Sequence, residues 1–101
     1  MMIVTIEKSL YDRLREEAER RETSVSAVLR QLLLNYFNIE DDTKSYRKEN
    51  VKNVIIRVGE KEYVRLQVHM KKENELIIKN ELKRRGMSVN QLLKNEILLT
   101  A

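Results

Sequence analysis

The sequence predicts an α+β fold, mostly α. It reads as two copies of a strand–helix–helix unit with antiparallel strand pairing, plus an extra hairpin strand near 54–58. Three observations predict this. Residues 2–36 and 66–100, laid on each other without a gap, share nine identities, from Val4 with Val68 through Ser24 with Ser88 to Leu34 with Leu98. The run Tyr63-Val64-Arg65-Leu66-Gln67-Val68-His69-Met70 alternates apolar and polar residues, the period of a half-buried strand. The third is a helix end, a tight turn and a serine cap, written once as Arg20-Arg21-Glu22-Thr23-Ser24-Val25 and again as Arg84-Arg85-Gly86-Met87-Ser88-Val89.

A chain of 101 residues is about one ordinary domain. Two units of about 45 residues are each too small to bury a good core alone, so they must pack on each other or on another chain. There is no cysteine, hence no disulfide framework and no cysteine-based zinc site. The longest apolar runs are far short of a membrane span, and the apolar start, Met1 to Ile6, meets Glu7 and Lys8 at once, which is not a signal peptide. A cytoplasmic location is expected. Net charge is +4 but uneven: residues 1–50 carry 9 Lys/Arg against 10 Asp/Glu, and residues 51–101 carry 11 against 6. The second half is better placed to meet a polyanion, although an ordinary solvated surface carries such charge too.

Taken in order, Ile3-Val4-Thr5-Ile6 is a β-branched run. Ser9, with Asp12 three residues on, is the expected cap of a first helix, whose face is Leu10, Leu14 and Ala18. Ser24 caps a second helix with a wide stripe of Val25, Val28, Leu29, Leu32, Leu33 and Tyr36. Tyr36 and Phe37 at its end read as core rather than as a platform for stacking bases. Residues 38–53 are polar and charged, a linker able to span up to about 50 Å if extended. The domain division is therefore 1–37, a linker at 38–53, and 54–101.

Val54–Val58 is a second β run, and Gly59-Glu60-Lys61-Glu62 a four-residue hairpin loop leading into the alternating strand. A single long helix from Glu60 to Arg85 is the competing assignment, opposed by the alternation. A third helix over about Glu73–Arg85 shows Ile77, Ile78 and Leu82. Gly86 ends it, and Ser88 with Gln91 forms a capping box for a fourth helix that turns Val89, Leu92, Leu93 and Ile97 inward.

The alternating strand, the helix with Leu10-x-x-x-Leu14-x-x-x-Ala18, and the turns Ser24-Val25-Ser26 and Gly86-Met87-Ser88-Val89-Asn90 together resemble the ribbon-helix-helix family of Arc/MetJ/CopG-type DNA-binding proteins. Both copies in one chain are similar to the tandem regulators of some archaeal viruses. The resemblance implies two units that pair their strands into a ribbon entering the major groove of double-stranded DNA. That groove admits a two-stranded ribbon and displays a distinct donor and acceptor pattern for each base pair. It places the base-reading positions on Met1, Ile3 and Thr5 in the first copy and on Arg65, Gln67 and His69 in the second. It places phosphate contacts at Ser24, Val25, Ser88 and Val89, where a helix start offers free amides. Arg65 is suited to guanine and Gln67 to adenine, while Ile3 makes only apolar contacts, for example with a thymine methyl.

Three features depart from the family pattern. Glu22 stands where the family usually has glycine, as at Gly86. A left-handed glutamate costs about 1 kcal/mol, so a differently shaped first turn is expected. Asn74 and Glu96 stand where the first copy has Leu10 and Leu32 and thin the second unit's core. The run Val54–Val58 has no counterpart in the basic unit; it either widens and steadies the ribbon or serves an oligomer contact.

The expected function is a sequence-specific transcriptional regulator, a repressor, with the two units paired within one chain and further homo-oligomerisation on DNA. Pairing of equivalent halves between chains is the other docking scheme. The alternative function is an antitoxin-like or other protein-interaction module with secondary DNA binding. An enzyme is not expected, since no nucleophile, base or metal cluster converges, and no cofactor is implied. His69 has no second histidine to share a metal.

Overall fold

A computed structural model describes residues 2–41 and 54–98. Strand β1 (Met2–Glu7) pairs antiparallel with a strand from the other half of the chain, β3 (Lys61–Val68), in the register Met2 with Val68, Val4 with Leu66 and Ile6 with Val64. The pleat sends alternate residues to opposite faces. Met2, Val4 and Ile6 on one strand and Val64, Leu66 and Val68 on the other are accordingly buried together on the helix side.

A shorter strand, β2 (Val54–Val58), pairs with the opposite edge of β3, so the sheet order is β1-β3-β2 and β3 is central. The alternating stretch is a strand, but it starts earlier than expected. The β2–β3 loop is the two residues Gly59–Glu60, and Lys61 and Glu62 are already paired with Val58 and Arg57. Gly59 holds a positive φ of 63°, as a two-residue hairpin loop demands at its first position. An Arg57–Glu62 ion pair of 2.8 Å closes the ladder beside it.

Helix α1 (Lys8–Arg20) follows β1 without a loop. Glu7 is its N-cap and offers no side-chain cap, so the expected capping box of Ser9 and Asp12 does not form. Ser9 lies inside the first turn, and Asp12 pairs with Lys8 at 3.3 Å instead. The physical reason is that the last strand residue doubles as the cap and leaves no intervening position for a serine. Leu10, Leu14 and Ala18 form the buried face as read from their spacing.

Helix α2 (Val25–Tyr36) is capped by Ser24, whose side chain accepts from the Ala27 amide at 3.1 Å. Its buried stripe is Val28, Leu29, Leu33 and Leu34, with Val25, Leu32 and Tyr36 only half-buried. Tyr36 and Phe37 meet edge to face with centroids 5.0 Å apart and pack against the core. The Arg85 guanidinium lies over both rings and donates to the Tyr36 hydroxyl at 2.9 Å. Beyond α2 the first residues of the expected linker are tied back: the Ile39 amide bonds the Leu34 carbonyl at 2.8 Å, and Arg30 pairs with Asp41 at 3.3 Å. The rest of that segment, 42–53, lies outside the described residues, as do Met1 and 99–101.

Helix α3 (Lys72–Arg85) buries Ile78 and Leu82 but leaves Leu76 and Ile77 about half exposed. Glu75 is buried in their place, held by Lys79 at 2.8 Å. That hydrogen bond keeps its carboxyl below the usual glutamate range against the opposing effect of burial. Helix α4 (Val89–Leu92) starts with the expected capping box. It is shorter than expected, because Leu93–Ile97 continue it as a π-helical turn closed by the Leu98 amide on the Leu93 carbonyl at 2.8 Å.

The two turns have one shape despite their different residues. After α3, Gly86 is left-handed at φ 61°, and the Met87 amide reaches back to the Leu82 carbonyl at 3.0 Å. After α1, Glu22 takes φ 54° and the Thr23 amide reaches the Ala18 carbonyl, also at 3.0 Å. The expectation of a different first turn is therefore corrected. Two backbone hydrogen bonds, Glu22 to Glu19 and Thr23 to Ala18, hold the exposed glutamate in a conformation it does not favour. Both sets of helices close over one continuous core that runs from Met2 and Val4 through Leu29 and Leu33 to Leu66, Ile78 and Leu92. No helix of the described residues is long and apolar enough to cross a membrane.

Candidate nucleic-acid interface

The face of the sheet turned away from the core follows from the register. Ile3 stands opposite Gln67 and Thr5 opposite Arg65, so the candidates from the two halves of the sequence alternate side by side on one ribbon. Ile3 is 59% exposed, Thr5 and Arg65 are exposed, and Gln67 is half-buried. Among the described residues Arg65 makes no ion pair, and its guanidinium fork is uncommitted. His69 is half-buried and lies just beyond β3, past its last ladder residue Val68, so it stands outside the ribbon. Met1, the remaining candidate of this set, lies outside the described residues.

The third strand adds to the same face. Val54 is paired with Arg65 and Ile56 with Tyr63, which places Val54, Ile56 and Val58 outward and Ile55 and Arg57 on the other side. Inspection of the sequence missed this row. The signal was present in the β run and the glycine, but a four-residue loop would have set a different register. With the observed two-residue loop, Val54, Arg65 and Thr5 form one row across three strands.

The phosphate candidates sit at the starts of α2 and α4. The Ser24 side chain takes the Ala27 amide. The Ser88 side chain takes the Gln91 amide at 3.2 Å, and the Gln91 side chain takes the Ser88 amide at 2.9 Å. Those groups are satisfied internally. The amides of Val25 and Val89 lie in the first turn of each helix, where helix geometry supplies no partner.

A polar clamp fixes the start of α4 to the end of the ribbon. Asn90 Oδ1 accepts from the Glu7 amide at 2.8 Å, and Asn90 Nδ2 donates to Glu7 Oε2 at 3.0 Å. Lys94 Nζ stands 3.6 Å from the same carboxylate. The Asn90 hydrogen bond, with help from Lys94 and against partial desolvation, holds the Glu7 carboxyl below the usual glutamate value. No spacing rule could have linked these residues, since they lie 83 positions apart. Among the described residues no group of His, Cys, Asp and Glu is placed to hold a metal ion.

Residues 4–40, covering β1, α1 and α2, match the model of the ribbon-helix-helix protein, copG family. The chain is 44% identical over 99 residues to the uncharacterized protein ORF100b of Acidianus filamentous virus 2 (isolate Italy/Pozzuoli), spanning 98% of this chain and 99% of that protein. It is also similar to a solved structure, that of AvtR, a transcriptional regulator from a hyperthermophilic archaeal lipothrixvirus. The two share 40% sequence identity, with a TM-score of 0.82 over 97% of this chain and 99% of that one.

Proposed function

Because this chain belongs to the copG family of ribbon-helix-helix proteins, we propose that it is a sequence-specific DNA-binding transcriptional regulator that acts as a repressor by setting the outward face of its sheet into the major groove. The observation that carries this reading is the register of β1 on β3, which gathers Ile3, Thr5, Arg65 and Gln67 onto one exposed face. In this reading the chain holds two ribbon-helix-helix units in tandem, 1–37 and 54–101, joined by 38–53 and paired within one chain. Antiparallel pairing of β1 with β3 supports it. So does the recurrence of strand, helix, turn and helix in both halves.

Ile3, Thr5, Arg65 and Gln67 contact base edges, and His69 reads from just past the strand end. A major groove about 12 Å wide accepts the ribbon end at Ile3 and Gln67, where the described sheet is two strands across. Ser24, Val25, Ser88 and Val89 hold the flanking phosphates, with the Val25 and Val89 amides as donors and the capping serines setting their direction. The Asn90–Glu7 clamp keeps one of these phosphate contacts at a set distance from the reading face. The protein acts in the cytoplasm of the cell that holds the DNA, and further copies assemble on the duplex.

Selection of bound sequences from random DNA tests the proposal. The expected result is a defined site that is lost or relaxed for Arg65→Ala, Gln67→Ala and His69→Ala. Unchanged binding and unchanged preference in all three variants would remove the sheet face from the interface.

A further inference from the structure

The outward row Thr5–Arg65–Val54 crosses all three strands, and its third member lies outside every contact assigned above. Val54 is 53% exposed, an apolar side chain standing beside the guanidinium proposed to read a base. Neighbouring strands lie about 4.8 Å apart, so Thr5 and Val54 flank Arg65 at about one strand spacing on either side. The outer strand axes of the sheet are then about 10 Å apart, and with the strands' own width the sheet is broader than a groove about 12 Å wide, so β2 lies at the groove's rim and only its outward side chains reach in. The outward residues of β2 are Val54, Ile56 and Val58, and its one cation, Arg57, is on the opposite face and paired with Glu62. A strand riding against phosphates would present lysine or arginine; this one presents only methyl groups. The apolar feature of the major groove is the thymine C5-methyl.

We propose that β2 belongs to the base-reading surface and that Val54 is a specificity-determining residue, packing on the methyl of a thymine next to the base pair contacted by Arg65. Val54 is singled out from its row for two reasons. Ile56 is half-buried beside Tyr63, and Val58 borders the hairpin loop at the far end of the strand. The inference rests on the DNA-binding reading above and goes beyond it, because it adds a contact from a strand that the basic family unit lacks.

The test replaces each thymine of the selected site by deoxyuridine, which removes only the methyl group, and measures affinity for the full-length chain and three variants. Wild type loses about fourfold at one thymine, the worth of one buried methyl group. Val54→Ala binds the parent site about fourfold more weakly and loses nothing further at that position. Ile55→Thr, on the opposite face of the same strand, keeps the wild-type pattern and controls for disturbance of β2. Arg65→Ala separates the two claims. If Arg65→Ala relaxes its base pair while Val54→Ala retains the full deoxyuridine effect, the Val54 contact is wrong and the ribbon reading stands. If neither variant changes affinity or preference, both readings fall.

Discussion

In the proposed reading, base recognition turns on Arg65. Its neighbours on the outward face include Thr5, Gln67 and Ile3, none of them charged, so its fork is the strongest directional donor of these four. A bidentate contact to guanine is worth about 1–3 kcal/mol of discrimination. Arg65→Ala is therefore expected to weaken specific binding by about that amount and to relax preference at a single base pair, read by titration against a panel of single-base variants. Asn90 makes a prediction of a different kind. Glu7 has its carboxyl held below the ordinary 4.5, first by Asn90, so the folded state favours the ionised form. That contribution is fully present above 4.5 and is lost as pH falls through the lower folded value. Asn90→Ala should cost about 1 kcal/mol at neutral pH. The gap to wild type should narrow as pH falls from neutral through the lowered Glu7 value, because once the carboxylate takes up its proton only the bond to its amide still counts. Urea unfolding along a descending pH series measures this; a gap that stays constant would show that the carboxylate is not coupled to the clamp.

At the scale of elements, the paired turns offer an internal control. Both hold a left-handed residue, glycine in one and glutamate in the other. Glu22→Gly should stabilise the chain by about 1 kcal/mol, less the extra freedom of glycine in the unfolded state. Gly86→Ala should destabilise by a similar amount. Nothing lies within 4 Å of the added Cβ, so no steric clash adds to the backbone strain. Thermal melts of the two variants check both signs. The places of these turns were legible in the sequence, though not the left-handed glutamate of the first, as were the caps at Ser24 and Ser88 and the strand faces, because each depends on residues close in the chain. The Ser9 cap failed because nothing local says that Glu7 ends a strand and starts a helix at once. The hairpin length failed because Lys61 and Glu62 look like loop residues and become strand only by pairing with Val58 and Arg57. The stripe on α2 missed Leu34, which is 1% exposed, because a helix packed by neighbours on two sides buries more than one clean face. Within the candidate site, the outward alternation of Arg65 and Gln67 was legible. The positions of Val54 and Asn90 were not, since both are set by pairings distant in sequence.

For the molecule as a whole, the decisive fact is that β1 and β3 of one chain share a ladder and a core. Leu66 and Ile6, both at 0% exposure, come from opposite halves and are covered by helices of both. With this pairing held within one chain, unimolecular folding is expected. The urea midpoint is expected to stay constant over a hundredfold range of protein concentration, as measured by circular dichroism; a midpoint rising with concentration would reveal strands exchanged between chains.

The register of Ile3 with Gln67 and of Thr5 with Arg65 has a wider consequence. A ribbon made from two identical strands looks the same when turned end over end, so it cannot tell upstream from downstream. This ribbon carries an aliphatic and a hydroxyl group on one strand and an amide and a guanidinium on the other. On a duplex it would sit in one orientation and not the other. A single bound molecule would then act as a signpost, fixing the direction in which a neighbour can be added.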